Sequence, residues 1–68
     1  MNLKEKRETA IGAARHQLRI LDCDFTIANA EEVLDEMAFV NPNLVASQWW
    51  LTASDNQWKL FCREWKRA

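Results

Sequence analysis

Gly12 and Pro42 are the only glycine and the only proline in this chain of 68 residues. Sheet proteins with many tight turns need more of both, whereas the abundant Ala, Leu, Glu, Lys, Arg and Gln favour helices. A chain of this length forms one domain at most. We therefore predict a single helical domain over residues 1–68, an all-α fold with three or four helices.

The first predicted helix covers residues 3–21 and is the longest. Its apolar residues recur at spacings of three, four and seven, which places them on one side of a helix. We expect this side to be buried; it consists of Leu3, Ala10, Ala14, Leu18 and Leu21, with Ile11 at its edge. Gly12 costs about 1 kcal/mol within a helix, so we expect another helix to cross closely there.

The second predicted helix covers residues 30–39. Asn29 and Glu32 have the spacing of a capping box, which marks its start. We expect Phe39 to pack under the turn that follows. The apolar side of this helix is Ala30, Val33, Leu34, Met37 and Ala38, and the acidic residues Glu31, Glu32, Asp35 and Glu36 are expected to face water.

Two more helices are predicted after this segment. Asn41 followed by Pro42 is typical of a helix start and predicts a third helix over residues 42–51. A cap at Ser54 predicts a fourth helix over residues 55–67. The alternative is one continuous helix, because neither Gly nor Pro separates the two segments.

Charge is distributed in three blocks along the chain. Residues 1–20 hold five basic and two acidic residues, residues 21–40 hold six acidic residues and no basic one, and the last eleven residues hold four basic and one acidic. The simpler interpretation is that the acidic block lies between the two basic blocks and helps to fix their order. The alternative is that these blocks bind a charged partner.

All four tryptophans lie in the last third of the sequence. Trp58 and Trp65 share one side of the fourth helix with Phe61 and Cys62, and this side is expected to be core. Trp49 is expected to join that core from the third helix.

Trp50 is the tryptophan left over. It points about 100° away from Trp49 on a helix, beside only Ala46, so both indoles cannot enter one narrow core. We predict that Trp50 is largely exposed and serves as a contact residue, because tryptophan is enriched where proteins bind one another. The alternative is that Trp50 covers the first helix or the loop that carries Phe25.

The short chain, the long first helix and the surplus of aromatic area favour self-association. We predict a homodimer with a dimeric helical bundle, in which a basic segment of one subunit meets the acidic helix of the other. The predicted partner-binding residues are Trp50, Trp49, Ala46, Lys59 and Arg63.

No motif for catalysis, metal binding or cofactor binding is present. His16 is expected to be exposed, and neither Cys23 nor Cys62 has a sequence context that activates a thiol. We predict no enzyme activity, no metal and no cofactor. A charged beginning and the lack of a long apolar run predict a cytoplasmic protein with no membrane segment and with reduced thiols.

These observations lead to two hypotheses of function. The first is a small non-enzymatic helical protein that acts by protein–protein contact, as an accessory, regulatory or inhibitory protein of the type often encoded by phages and mobile elements. The second is a small nucleic-acid-associated regulator, because residues 34–50 faintly resemble a helix-turn-helix. Three positions suit that motif: Val40, Pro42 and Val45. Three others depart from it: Phe39, Asp35 and Gln48. The segment in the place of the recognition helix also has no Lys or Arg.

Overall fold

The computed structural model describes residues 1–67, in which it places four α-helices and no strand. The helices are α1 (Leu3–Ile20), α2 (Ile27–Val40), α3 (Val45–Thr52) and α4 (Asp55–Arg67). The longest helix, α1, packs against each of the other three, and α2 and α3 also pack against each other. The all-α prediction is confirmed, and the break at residues 53–54 shows that α3 and α4 are two helices.

The boundaries of α1 agree closely with the prediction. Asn2 caps the helix by accepting a hydrogen bond from the Glu5 backbone at 2.9 Å, and the Glu5 carboxylate accepts one from the Asn2 backbone at 3.2 Å. The middle of the predicted apolar stripe is buried, but its ends are not: Leu3 is 57% and Leu21 is 52% exposed. The body measures 30 × 27 × 18 Å, so a helix of about 27 Å reaches its edges.

The predicted close crossing at Gly12 is wrong. Gly12 is exposed, and a Cβ atom added there would meet nothing within 4 Å. The fully buried small residues of α1 are Ala10 and Ala14, which lie on the opposite side of the helix. Gly12 therefore has no packing role in this chain.

Helix α2 begins three residues before the predicted position. Thr26, in extended backbone, is the N-cap and its hydroxyl accepts a hydrogen bond from the Asn29 backbone at 3.1 Å. Asn29 lies inside the helix, where its side chain donates to the Asp24 carbonyl at 2.9 Å. The capping box predicted for Asn29 is therefore wrong, because an earlier residue satisfies the first turn.

The predicted start of α3 is also wrong. Asn41 is the C-cap of α2, and its backbone donates to Met37 at 2.8 Å. Pro42 lies in the turn, and α3 begins only at Val45, after Leu44. The Ser47 hydroxyl donates to the Asn41 carbonyl at 2.7 Å, which binds the turn to α3. Asn41 thus ends one helix instead of starting the next.

Helix α4 supplies the aromatic centre of the core. Its start is as predicted, with the Ser54 hydroxyl accepting from the Gln57 backbone at 3.2 Å. The Phe61 ring stacks on three indoles, with centroid distances of 5.0 Å to Trp58, 5.2 Å to Trp49 and 5.6 Å to Trp65. Phe61, Trp49 and Trp65 are each at most 4% exposed. The predicted core role of the last two is confirmed.

A buried polar network joins α1 to α4, and no sequence pattern indicated it. Arg7 is 6% exposed. Its Nε and Nη2 donate to the two carboxylate oxygens of Glu64 at 2.7 and 2.8 Å, and its Nη1 donates to the Gln57 side chain at 3.0 Å. Paired in this way, the guanidinium meets the requirement that a buried charge be neutralised and hydrogen-bonded.

We expect this network to make stability depend on pH. Hydrogen bonds from Arg7 lower the pKa of Glu64 below its usual value of 4.5. A lowered folded pKa adds stability at neutral pH, and this contribution is lost as the pH falls below about 4.5 and then through the lower folded value. Glu64→Gln should cost about 1–3 kcal/mol at neutral pH and much less near pH 3.

Urea unfolding of both proteins at the two pH values measures this effect. Glu32→Gln is the matched control, because Glu32 is exposed on a different helix and makes no ion pair within residues 1–67. An equal loss of stability for Glu64→Gln at both pH values would contradict the prediction.

Candidate protein-binding surface

The five residues predicted to bind a partner differ in their exposure: two are buried, two are exposed and one is intermediate. Ala46 is 3% and Trp49 is 1% exposed, so both belong to the core and lie away from the surface that a partner would meet. Lys59 and Arg63 are exposed on the outer side of α4. Trp50 is intermediate in exposure. The contact role of the three accessible residues stays a prediction.

Trp50 is not largely exposed, contrary to the prediction. Its ring meets the edge of Trp58, with centroids 5.3 Å apart, and its Nε1 lies 3.5 Å from a carboxylate oxygen of Asp35. Trp58 belongs to α4, which begins after the break at residues 53–54, so an indole from the next helix covers part of Trp50. The alternative prediction, in which Trp50 packs on α1 or on the Phe25 loop, does not match these contacts, which are with Trp58 and Asp35.

The most exposed apolar side chain between the termini is Phe39 on α2. It is 88% exposed. The expected packing under the following turn is wrong, because hydrogen bonds from Ser47 and Gln48 to residues 41 and 42 fold that turn onto α3. Phe39 follows Asp35 by four residues and Glu36 by three, so the three side chains share one side of the helix. We define the outer face of α2 as Glu31, Glu32, Asp35, Glu36 and Phe39, all exposed.

An apolar groove runs along one flank of this outer face, between α2 and the end of α1. Its volume is about 210 Å³. Its apolar lining consists of Leu21, Val33, Met37 and Val40, and its polar rim consists of Gln17, Glu36 and Asn41. Val40 is 72% exposed, and Ile20, next to Leu21, is 64% exposed. Phe39 and this groove therefore form neighbouring apolar features at one end of α2.

The other flank of the outer face carries tryptophan. Trp50 lines a shallow depression together with Glu31, Glu32 and Asp35, and a second depression joins Trp50 to Trp58 and Glu31. Trp50 therefore lies at the edge of the acidic outer face of α2, and its role in binding stays a prediction. The sequence signal that would have identified this surface is the position of Phe39 among carboxylates at helical spacing.

The outer face of α2 has an uncompensated negative charge. No Lys or Arg occurs between Arg19 and Lys59. Within residues 1–67 the one ion pair joins Arg7 to Glu64, so the two basic blocks are linked to each other. No carboxylate of the acidic block pairs with a basic side chain within residues 1–67, so no ion pair there supports the expectation that this block fixes the order of the basic blocks.

Part of the basic charge is used inside the fold. The Arg15 guanidinium lies 4.6 Å from the centre of the Phe25 ring and 5.3 Å from that of Trp65. The Trp65 Nε1 donates to the Phe25 carbonyl at 3.0 Å. These contacts attach the loop between α1 and α2 to α4, with cation–π attraction adding to the hydrogen bond. Arg15 is consequently less accessible for binding a partner than Arg19, which is exposed.

The reactive residue types are dispersed. His16 and Cys23 are exposed, and burial raises the pKa of the Cys62 thiol, which disfavours the thiolate. Across residues 1–67, no three His, Cys, Asp or Glu side chains are grouped to hold a metal ion. Over the same part of the chain, none of the helices is long and apolar enough to cross a membrane.

The helices α2 and α3 correspond to the two helices of the faint helix-turn-helix pattern. The exposed side chains of α3 are Val45, Gln48, Leu51 and Thr52, none of them basic. The exposed side of α2 is acidic. Neither helix therefore presents the positive charge that attracts a phosphate backbone.

We expect the two adjacent tryptophans to differ in their effect on stability. Trp49→Ala removes a fully buried side chain and should cost about 3–5 kcal/mol. Trp50→Ala removes a half-buried ring and its contact with Trp58, which should cost about 1–2 kcal/mol. Urea unfolding monitored by circular dichroism measures both values; equal costs would show that Trp50 is as much a core residue as Trp49.

Comparison of the chain with protein-family models, with curated proteins and with solved structures finds no match. The candidate surface is accordingly defined by geometry, exposure and charge. Its three parts are the outer face of α2, the apolar groove on one flank and the Trp50 edge on the other.

Proposed function

We propose that this chain is a non-enzymatic helical protein that acts by contact with another protein, as an accessory, regulatory or inhibitory protein. One observation carries the proposal: Phe39 is 88% exposed at the C-terminal end of the outer face of α2. Burying a phenylalanine side chain is worth about 1.5–3 kcal/mol. A partner that covers Phe39 gains this energy, because the chain itself does not.

The surroundings of Phe39 support the proposal. A single exposed apolar residue is ordinary on a protein surface, but a contiguous apolar patch rimmed by polar residues marks interaction sites. Val40 and Leu21 continue the apolar surface into the groove, and Glu36 stands on the rim. The patch also lies on a regular helix, which holds its side chains in fixed positions.

The alternative function, a nucleic-acid-associated regulator, has less support. The same surface that offers apolar area is negatively charged, and it would repel phosphates. The exposed basic residues Lys59 and Arg63 lie on α4, outside the two helices of the helix-turn-helix pattern. Charge therefore favours a protein partner for α2.

We also propose a homodimer, but two of the sequence features that suggested it do not support it in the structure. Trp58 covers part of Trp50, and no helix crosses α1 at Gly12. Charge remains as the support, since Lys59 and Arg63 of one copy can face the acidic α2 of a second copy. Such pairing of exposed charges is weak and places no apolar side chain on Phe39.

We expect Phe39→Asp to abolish partner binding without unfolding the chain. Phe39 is too exposed to stabilise the fold, but an aspartate in the last turn of α2 meets the like charges of Asp35 and Glu36. The melting temperature should therefore fall by several degrees while the chain stays folded. The tagged protein is used to capture proteins from an extract of its source cells, with quantification by mass spectrometry. At least one protein should be retained by the wild type and lost with Phe39→Asp.

Leu3→Asp is the matched control for this experiment. Leu3 is also an exposed apolar residue, 57% exposed, but it lies at the start of α1. The control should capture the same proteins as the wild type. If Phe39→Asp captures them equally well, α2 is not the contact surface and the proposal fails.

Light scattering after size exclusion tests the homodimer. Because its support is electrostatic, a mass above 8.0 kDa should appear at high protein concentration and low salt, and should decrease with added salt. Lys59→Glu combined with Arg63→Glu should reduce it further. A mass of 8.0 kDa under every condition would exclude the homodimer and would leave the contact surface on α2 untouched.

A further inference from the structure

We infer that the outer face of α2 and the apolar groove beside it bind an amphipathic helical segment of a partner protein, rich in Lys and Arg and carrying large apolar side chains. This inference rests on the proposed function and adds the chemistry of the partner. It follows from three properties of the surface, which are its charge, its apolar anchor points and its shape.

The charge of the surface selects a basic partner. Glu31, Glu32, Asp35 and Glu36 are exposed and form no ion pair within residues 1–67. An apolar segment with acidic flanks would bring like charges together here, whereas Lys and Arg would meet carboxylates at every turn of the helix. Charge complementarity of this kind speeds association and excludes wrong partners more than it adds affinity.

Charge alone does not explain the apolar part of the surface. Phe39 projects from the outer face, and the neighbouring groove of about 210 Å³ is lined by Leu21, Val33, Met37 and Val40. A cavity of this size accepts a leucine or phenylalanine side chain. The partner segment therefore needs an apolar side chain for the groove and an apolar surface for Phe39, in addition to its basic residues.

The shape of the surface fits a helix lying alongside α2. The 14 residues of α2 extend for about 21 Å. The groove flanks one end of this length and the Trp50 depressions flank the other, so a partner helix of three to four turns can contact both. Recognition of an amphipathic helix through residues at spacings of three and four is an established mode of binding.

A second copy of this chain does not supply such a segment. The exposed side of α4 is basic, but its aromatic side is buried, with Phe61 fully covered and Trp65 4% exposed. The exposed apolar end of α2 would bring Glu36 and its neighbours against the same carboxylates of the other copy. The basic side of α4 lacks apolar anchors, and the apolar end of α2 has the wrong charge. On α1, the exposed apolar residues Leu3 and Ile20 lie at opposite ends of the helix, and Glu5 and Glu8 are exposed beside its basic residues, so we commit to a different protein as the occupant.

Synthetic helical peptides without tryptophan test this inference directly. The first peptide carries leucines at spacings of three and four with Lys and Arg on its other side; the second replaces Lys and Arg by Gln; the third keeps Lys and Arg but replaces each leucine by Ala. Binding is followed by the fluorescence of the protein, since Trp50 lines the edge of the surface, and by calorimetry. Only the first peptide should bind, with a Kd in the micromolar range typical of small interfaces.

Variants of the protein locate the binding. Phe39→Ala should weaken the first peptide about tenfold, and Leu3→Ala should not change it. Glu32→Gln with Glu36→Gln should weaken it and reduce its dependence on salt, whereas the equally neutralising pair Glu5→Gln and Glu8→Gln should have little effect. Circular dichroism confirms that each variant is folded.

Each alternative outcome overturns the inference. If the peptide with Gln in place of Lys and Arg binds as tightly as the first peptide, positive charge is not required. If the peptide with Ala in place of leucine binds as tightly as the first, the contact is charge attraction alone. If Phe39→Asp abolishes self-association of the protein, the occupant is a second copy. If the capture experiment retains a partner without a basic amphipathic segment, this inference fails while the proposed function stands; if Phe39 has no role in capture, both fail.

Discussion

The stack of aromatic rings around Phe61 is the interaction on which the rest of this structure depends. Phe61 contacts Trp49 of α3 as well as Trp58 and Trp65 of its own helix, and it is fully buried. A chain of 68 residues has little apolar material for a core. One aromatic stack packs α3 and α4 against α1. This stack uses three of the four tryptophans for folding.

Helix α4 is held at further points by polar contacts. Arg7 of α1 is paired with Glu64, and Trp65 donates to the Phe25 carbonyl while Arg15 covers both rings. Each of these contacts uses a basic residue or an indole for folding. The acidic residues of α2 form no ion pair within residues 1–67, and of the four on its outer face only Asp35 contacts an indole, that of Trp50 at 3.5 Å. The outer face of α2 therefore keeps a negative charge that the fold does not neutralise.

The sequence predicted the elements better than the contacts between them. The extents of α1 and α4 followed from apolar periodicity and the Ser54 cap, because these are local signals. The start of α3 did not, since Asn41 and Pro42 suit both the end of one helix and the start of another, and the Ser47 hydrogen bond to Asn41 decides between them. Arg7 was unpredictable because Gln57 and Glu64 lie 50 and 57 residues away. Trp50 was misassigned for a related reason, since α4 had to be placed before its cover by Trp58 was visible.

The tryptophans and Phe39 differ in whether the fold needs them. Trp49 and Trp50 attracted attention in the sequence, yet their contacts are within the chain and are explained by stability. Phe39 has no folding role at 88% exposure, and a polar residue there would match its neighbours at α2 better. An apolar side chain that the fold does not bury thus lies among carboxylates that form no ion pair within residues 1–67, and the proposed partner is the molecule that would supply both the apolar cover and the positive charge.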